Sequence, residues 1–242
     1  MQTEINFRGQ PIPYTVERRK RKTIGISVTA DKGVRVAAPL WVTHAQIREV
    51  VLSRAEWIVK KRLLLQERKQ QASPCSFTEG ALLLYRGSSY PLHIQRVPGS
   101  SRVAFRMEEN RFLAVVPEGL PAEFEVSSLR SIAVDWYKVQ AQSLVRDRIG
   151  FYAERMGVAP SKVAVREQKT LWGSCSGKDS ININWKLVMA PLPILDYVLV
   201  HELAHIKQKN HSKAFWSLVA TVLPDYSERS HWLKENGVKL IV

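Results

Sequence analysis

The sequence predicts an α+β protein in which a strand-rich N-terminal region precedes a mainly helical C-terminal region. Short β-prone segments, separated by turns that contain Gly, Pro or Asn, continue to about residue 118. A long helical pattern then begins near Ala122 and continues to Met156, where Gly157 is a candidate C-cap. The 242 residues suffice for one large domain or two small ones. We therefore predict two domains, residues 1–118 and residues 119–242.

The N-terminal region contains two groups of predicted strands with a helical segment between them. These strands cover residues 5–8, 14–17, 24–29 and 34–37 in the first group, and residues 81–85, 90–97, 103–107 and 112–116 in the second. Thr43 and Gln46 have the spacing of a capping box, which predicts that the helical segment begins there and continues to about Gln70. The two groups resemble each other in shape but share no convincing sequence repeat.

The C-terminal region is mixed. We predict a strand at residues 163–166, a Gly- and Ser-rich loop at 170–178, a strand at 181–184 and a helix from about 194 to 209. Ser212 can cap a further helix. Pro224 and Asp225 introduce a last short one.

The composition excludes several classes of protein. No apolar run reaches the roughly 18 residues of a membrane-spanning helix. The first ten residues, MQTEINFRGQ, lack the pattern of a secretory signal, so we expect a cytoplasmic protein without a membrane partner. Cys75 and Cys175 form neither a disulfide framework nor a CxxC zinc motif, and we expect both to be small core residues.

The chain is strongly basic, with a formal net charge of +14. Residues 18–22 read RRKRK, and further cations occupy positions 60–62, 68 and 69 of the predicted helical segment. Such clusters attract polyanions and indicate a nucleic-acid or nucleotide surface. The alternative is a solvated basic face that aids solubility. We rank the alternative slightly higher because no aromatic residue interleaves with these charges.

Residues 201–205 read HELAH and indicate a metal site. Histidines four apart on a helix are offset by about 40° around its axis, so His201 and His205 point the same way and can bind one zinc ion. Glu202 sits at the rim of the same face, where its carboxylate can take a proton from a water on the metal. The segment before the motif is apolar, which predicts a buried location where unpaired polar groups would be costly.

Catalytic zinc usually has three protein ligands, and His211 has the best spacing for the third. In a continuous helix His211 would lie about 240° beyond His205 and face away from the metal. The helix must therefore end between them. Asn210 tolerates the left-handed conformation that stops helices, and Ser212 can start the next helix. His231, Glu228 and Glu235 remain as alternative third ligands, and Tyr197 as a residue bordering the site.

The segments LWGSCSGKDSININWKLVMAP and LDYVLVHELAHIKQKNHSKAFW resemble the YgjP-like metallopeptidases, zincins related to the SprT-like and WLM proteases. The resemblance covers nearly the whole chain and is most specific over residues 169–216. It implies a zincin-like C-terminal catalytic domain with zinc on His201, His205 and His211 and with Glu202 as catalyst. Leu171 departs from the pattern, because similar sequences usually carry Arg before the Trp. The chain is not a metzincin, since it has Gln208 in place of the metzincin Gly and lacks a downstream Met.

These features together predict a zinc-dependent peptidase that acts on a peptide or protein through a metal-activated water, with another divalent transition metal as the alternative to zinc. We expect the strand at 181–184 to pair with an extended substrate. One rival function is hydrolysis of a nucleotide phosphoanhydride, which would suit the positive charge. A second is a non-enzymatic nucleic-acid-binding module with a structural metal, against which Glu202 argues. A third is a protease associated with DNA.

Overall fold

The computed structural model describes residues 2–29, 32–71 and 76–242. It divides the chain into two compact units, Met1–Ser73 and Pro74–Val242. Both contain helices and strands, which confirms the α+β class. No helix within the described residues is long and apolar enough to cross a bilayer.

The first unit is a four-stranded sheet followed by two helices. Its elements are β1 (Gln2–Phe7), β2 (Gln10–Arg18), β3 (Gly25–Thr29), β4 (Gly33–Ala38), α1 (His44–Ser53) and α2 (Ala55–Gln71). The strand order is β1-β2-β4-β3, with β2 and β4 parallel and the other pairs antiparallel. Ile12, Tyr14 and Val36 of the sheet are buried in one core with Ile47 and Val51 of α1. The period-two burial along β2 and β4 follows from the pleat of the strands.

The predicted elements of this unit are present. One strand is longer than predicted, and the predicted capping box is formed. Strand β2 is longer than predicted because it includes Pro11 and Pro13. Both prolines lie in the half of β2 that pairs only with β1, so the side of the strand toward β4 needs no N–H there. The capping box is confirmed: Thr43 Oγ1 accepts from the Gln46 backbone N–H, and Gln46 Oε1 accepts from the Thr43 N–H.

The second unit contains a four-stranded sheet, a long helix, a three-stranded sheet and three shorter helices. Its elements are β5 (Leu82–Tyr85), β6 (Ser88–Val97), β7 (Ala104–Glu108), β8 (Arg111–Pro117), α3 (Ala122–Met156), β9 (Lys162–Arg166), β10 (Gly173–Cys175), β11 (Ser180–Asn184), α4 (Leu192–Lys207), α5 (Lys213–Val222) and α6 (Tyr226–Asn236). A five-residue 3-10 helix, Trp185–Met189, precedes α4. Gly157 ends α3 in the left-handed conformation (φ 59°, ψ 47°), as predicted.

The two four-stranded sheets share one topology, which explains the repeated shape in the sequence. The order β5-β6-β8-β7, with β6 and β8 parallel, reproduces that of the first sheet. The first sheet packs on α1, whereas the second packs on α3. The ring of Phe112 lies 5.2 Å from that of Trp136, and the Tyr137 hydroxyl donates to the Leu84 carbonyl at 2.7 Å. The structure divides the chain after Ser73, not at the predicted boundary of 118/119. The predicted boundary lies inside the second unit, because β5–β8 and α3 share one core.

Candidate metal centre

Helix α4 carries His201 and His205 one turn apart on one face. The helix is apolar around them, and its buried residues include Val198, Leu199, Val200, Leu203 and Ala204. The centroids of the two imidazole rings are 5.0 Å apart. Packing of the apolar positions against the core therefore fixes the direction in which both imidazoles point.

The chain brings His211 back to this pair by ending α4 at Lys207. Gln208 has an extended backbone (φ −129°, ψ 102°), and Ser212 caps α5 by accepting a hydrogen bond from the Phe215 N–H. The predicted break is present, but its cause differs from the prediction. Asn210 does not adopt a positive φ, and the helix is interrupted at the extended Gln208 instead.

The three imidazoles converge. One nitrogen from each of His201, His205 and His211 lies within 4.8 Å of the others, and the Nε2 atoms of His201 and His211 are 3.0 Å apart. Tetrahedral zinc with Zn–N bonds of about 2.0–2.1 Å would separate its ligand nitrogens by roughly 3.3 Å. Three imidazoles are also a donor set that zinc accepts, so the residues present fit a metal ion.

The protonation of His201 and His205 favours ligation. Burial, followed by the neighbouring His205 and His211, lowers the pKa of His201 to about 4. Burial also lowers the pKa of His205. The Nδ1 atom of His205 lies 3.0 Å from the Gln208 carbonyl oxygen, which leaves Nε2 to face the centre. Because a metal binds the neutral imidazole, both rings are in the required form at neutral pH.

Glu202 lies in a buried position beside the imidazoles, with 5% of its surface exposed. Burial raises the pKa of its carboxyl group to about 7. It packs against Gly173 of β10 so closely that a Cβ atom at Gly173 would lie 2.6 Å from Glu202 Oε1. A carboxyl group whose pKa is near neutrality suits general acid–base chemistry.

Strand β10, which lies beside Glu202, is held by side-chain hydrogen bonds from residues of the WGSC segment and of β11. The Asn184 side-chain amide donates to the carbonyls of Gln168 and Leu171 at 2.8 and 3.0 Å. Ser174 Oγ accepts from the side chains of Gln168 and Asn182 at 3.1 and 3.4 Å. The WGSC segment and the two Asn residues of β11 thus position β10 along α4. The sequence indicated that these residues belong together, but not that Gly173 is the contact of Glu202.

Aromatic side chains enclose the imidazoles. Phe215 is fully buried, and its ring centroid lies 4.6–5.0 Å from those of all three histidines. Trp216 stacks on His211 at 5.6 Å. Tyr197 lies 5.9 Å from His201 and is buried, which places it at the border of the site, as the spacing suggested.

A cavity of about 200 Å³ adjoins His201 and Glu202. Its other lining residues are Leu171, Trp172, Gly173, Tyr197, Val198 and Leu233. Within the part of the chain that the structure describes, no Lys or Arg lines this cavity. It is therefore an apolar recess with a carboxyl group and an imidazole at one end.

The alternative third ligands lie elsewhere. His231 is exposed and pairs with Glu235 at 3.0 Å, and neither residue joins the histidine group, nor does Glu228. Cys175 is half-buried and free, and burial raises its pKa. Cys75 lies outside the described residues.

The expectation that residues 181–184 pair with an extended substrate is wrong. Strand β11 is the central strand of its sheet, bonded to β10 on one side and to β9 on the other, so it has no free edge. The outer strand next to Glu202 is β10. Alternation in the sequence could not show which of the two strands would be at the edge.

Comparison with known proteins identifies the family. Residues 22–236 match the model of the YgjP-like metallopeptidase domain. A 56-residue segment is 39% identical to the UTP pyrophosphatase of Escherichia coli (strain K12), covering 23% of this chain and about a third (34%) of that protein. A crystal structure of the metallopeptidase zymogen of Pyrococcus abyssi abylysin aligns over 40% of this chain and 99% of its own, with 26% identity and a TM-score of 0.37. Since the family model covers most of the sequence, the chain belongs to the YgjP-like metallopeptidase family.

Proposed function

We propose that this protein is a zinc-dependent peptidase in which His201, His205 and His211 hold the ion and Glu202 is the general base. The observation that carries the proposal is the convergence of three imidazoles within 4.8 Å beside a buried carboxyl group. Membership of the metallopeptidase family supports the same chemistry and makes the chain a metal-dependent hydrolase.

The roles of the side chains follow from their positions. A bound zinc ion supplies Lewis acidity, which activates water and polarises a carbonyl oxygen. Glu202 accepts the proton of the attacking water and later delivers it to the leaving amine nitrogen. Its surroundings suit both tasks, because burial brings its pKa to about 7. The Gln208 carbonyl orients the His205 ring.

Two features support a peptide substrate. The outer strand β10 runs past Glu202, and its free edge can hydrogen-bond an extended peptide. The apolar cavity beside His201 and Glu202 can take one hydrophobic side chain next to the scissile bond. Among the residues that the structure describes, the lining of this recess includes no Lys or Arg, which disfavours a triphosphate there.

A second candidate is hydrolysis of a nucleotide phosphoanhydride. It is favoured by the 39% identity to a protein named UTP pyrophosphatase over 56 residues. The same general base and metal would serve water attack on phosphorus. Lys209, whose Nζ lies 2.6 Å from Asp179 Oδ1, is a cation close to the second histidine that could approach a phosphate.

The test compares wild type with Glu202→Gln, using Glu228→Gln on the exposed face of α6 as the matched control. Metal content is measured by mass spectrometry, and turnover is measured on a peptide library and on nucleoside triphosphates. We expect Glu202→Gln to retain the metal and to lose about 10²–10⁴-fold in peptide turnover, with the control unchanged. Turnover of UTP alone, abolished by Glu202→Gln, would establish the second candidate. A protein that binds no metal would refute both.

A further inference from the structure

The first unit carries most of the excess positive charge of the chain. Residues 1–73 contain fifteen Lys and Arg against six Asp and Glu, a formal net charge of +9 out of +14 for the whole sequence. This charge plays no part in the proposed chemistry of the histidine site. A concentration of cations on a small unit indicates an anionic partner.

Two segments leave the sheet of this unit at the same end. We call residues 19–24 the basic turn and residues 39–42 the apolar loop. They follow β2 and β4, which are parallel and paired up to Arg18 and Ala38, so both segments emerge side by side. The Arg19 N–H donates to the Ala38 carbonyl at 2.9 Å, which continues the contact past the strand ends.

Arg18 holds the two ends of the apolar loop through hydrogen bonds to its backbone. Its guanidinium Nη1 donates to the Pro39 carbonyl at 2.9 Å and also to the Val42 carbonyl. Pro39 and Val42 are buried, whereas Leu40 and Trp41 between them are 71% and 72% exposed. The loop therefore holds a tryptophan in solvent by means of specific hydrogen bonds, although a large aromatic side chain gains free energy from burial.

The basic turn carries two exposed lysines and lies next to the apolar loop. The Arg21 guanidinium packs on Gly25, where an added Cβ would lie 2.8 Å from Nη2, so Arg21 is folded back against the strand. Lys20 and Lys22 are exposed, and neither forms an ion pair with another described residue. Helix α1 begins directly after the apolar loop with no acidic residue in its first turn, which adds positive potential at the same end.

We propose that the basic turn and the apolar loop form a binding site for single-stranded nucleic acid, with Trp41 as a stacking platform for a base and Lys20 and Lys22 as phosphate contacts. An unpaired base has a free face for Trp41, and a flexible phosphate backbone can follow the cations. A base pair inside a duplex offers no such face. This site revises the sequence-based preference for a merely solvated basic face, because the fold brings an aromatic residue to charges from which it is remote in sequence.

The experiment measures fluorescence anisotropy of a short labelled oligothymidine, free and in a duplex, with the full chain at several salt concentrations. We expect the single strand to bind more tightly than the duplex. Trp41→Ala should weaken binding about tenfold, whereas Trp41→Phe should restore most of it. Lys20→Ala with Lys22→Ala should lower the slope of log affinity against log salt by about 1.4, since each phosphate contact on a single strand contributes about 0.7.

Two controls separate this site from general basicity. Lys60→Ala with Arg62→Ala removes the same charge from exposed positions of α2, and Trp57→Ala removes an exposed tryptophan from the same helix. Both should change the affinity less than about threefold. Equal binding by wild type and Trp41→Ala would overturn the proposal, as would equal losses in the α2 variants. So would binding to vesicles of phosphatidylserine without binding to the oligonucleotide, which would identify a membrane site instead.

Discussion

Gly173 shows how a residue without a side chain shapes the candidate site. Its missing Cβ leaves the space that the Glu202 carboxyl group occupies, with Oε1 and Cγ only 2.6 and 2.7 Å from the position of such an atom. Any larger residue requires a shift of Glu202 or of β10, which changes the position of the carboxyl group relative to the strand. The glycine is therefore required by the close approach of a strand to a helix, and its own backbone conformation does not demand it.

We expect Gly173→Ala to lower kcat about 100-fold while the metal content stays at the wild-type level, because a shift of about 1 Å in a catalytic group can cost that much. The matched control is Gly177→Ala, which has no heavy atom within 4 Å of the added Cβ. Steady-state kinetics and metal analysis provide the measurements. Normal turnover by Gly173→Ala would show that the position of Glu202 is not limiting.

His211 and His231 provide a second comparison between single residues. His211→Ala should lower the metal affinity by more than about 100-fold. Removing a residue that only hydrogen-bonds to a metal ligand already costs about 10–100-fold, and loss of a ligand should cost more. His231→Ala should have no effect, since that ring pairs with Glu235 on the surface. Competition with a chromogenic chelator measures both affinities. Equal affinities in the two variants would remove His211 from the ligand set.

Helix α4 is the element on which the site depends, and a buried ion pair anchors it to α3. Arg148 of α3 donates through Nη2 to Asp196 Oδ2 at 2.6 Å and through Nε to Oδ1. The Asp196 side chain is 7% exposed and the Arg148 side chain 31% exposed. The hydrogen bond to the Asp196 carboxylate raises the pKa of the Arg148 guanidinium. Asp196 lies just over one turn before His201, so this contact fixes the helix near the three histidines.

Removing one partner of this pair should destabilise the second unit. Arg148→Met keeps most of the apolar stem but leaves the buried Asp196 carboxylate without its cationic partner, which should lower the free energy of unfolding by about 3 kcal/mol. Lys138→Met, on the same helix, breaks an exposed pair with Asp135 and should cost less than about 1 kcal/mol. Urea unfolding measures both values. Similar losses in the two variants would contradict a special role for the buried pair.

At the scale of the whole molecule, metal binding should stabilise one unit and leave the other unchanged. The three histidines all belong to the second unit. At a free metal concentration about 1,000 times Kd, binding contributes about 4 kcal/mol, which corresponds to a rise in Tm of roughly 10 °C. We therefore expect chelation to lower the melting temperature of the second unit by roughly 10 °C and to leave that of the first unit unchanged.

Hydrogen exchange locates this effect. Removal of the metal should accelerate exchange in α4 and in residues 208–212, because the ion would tie the end of that helix to His211. Exchange in residues 2–29 and 32–66 should not change. Calcium added after chelation should fail to restore protection, since imidazole nitrogens do not suit it. Equal acceleration in both units would show that the metal acts on the molecule as a whole.

The sequence by itself determined the features that depend on local geometry. The four-residue spacing of His201 and His205 places both rings on one helix face whatever surrounds the helix. The Thr43–Gln46 capping box, the cap at Ser212 and the C-cap at Gly157 are likewise local hydrogen-bond patterns, and the structure contains all of them. The need for a break before His211 also followed from helical geometry alone.

Tertiary packing decided everything that joins residues remote in sequence. Which strand would be at the edge beside Glu202 depended on the pairing of β11 with both β10 and β9. The division between the units depended on the packing of Phe112 against α3. The adjacency of the basic turn and the apolar loop arose from the parallel pairing of β2 with β4. Strand order and packing are set by contacts that become favourable only when the chain is folded, and a pattern of neighbouring residues does not contain them.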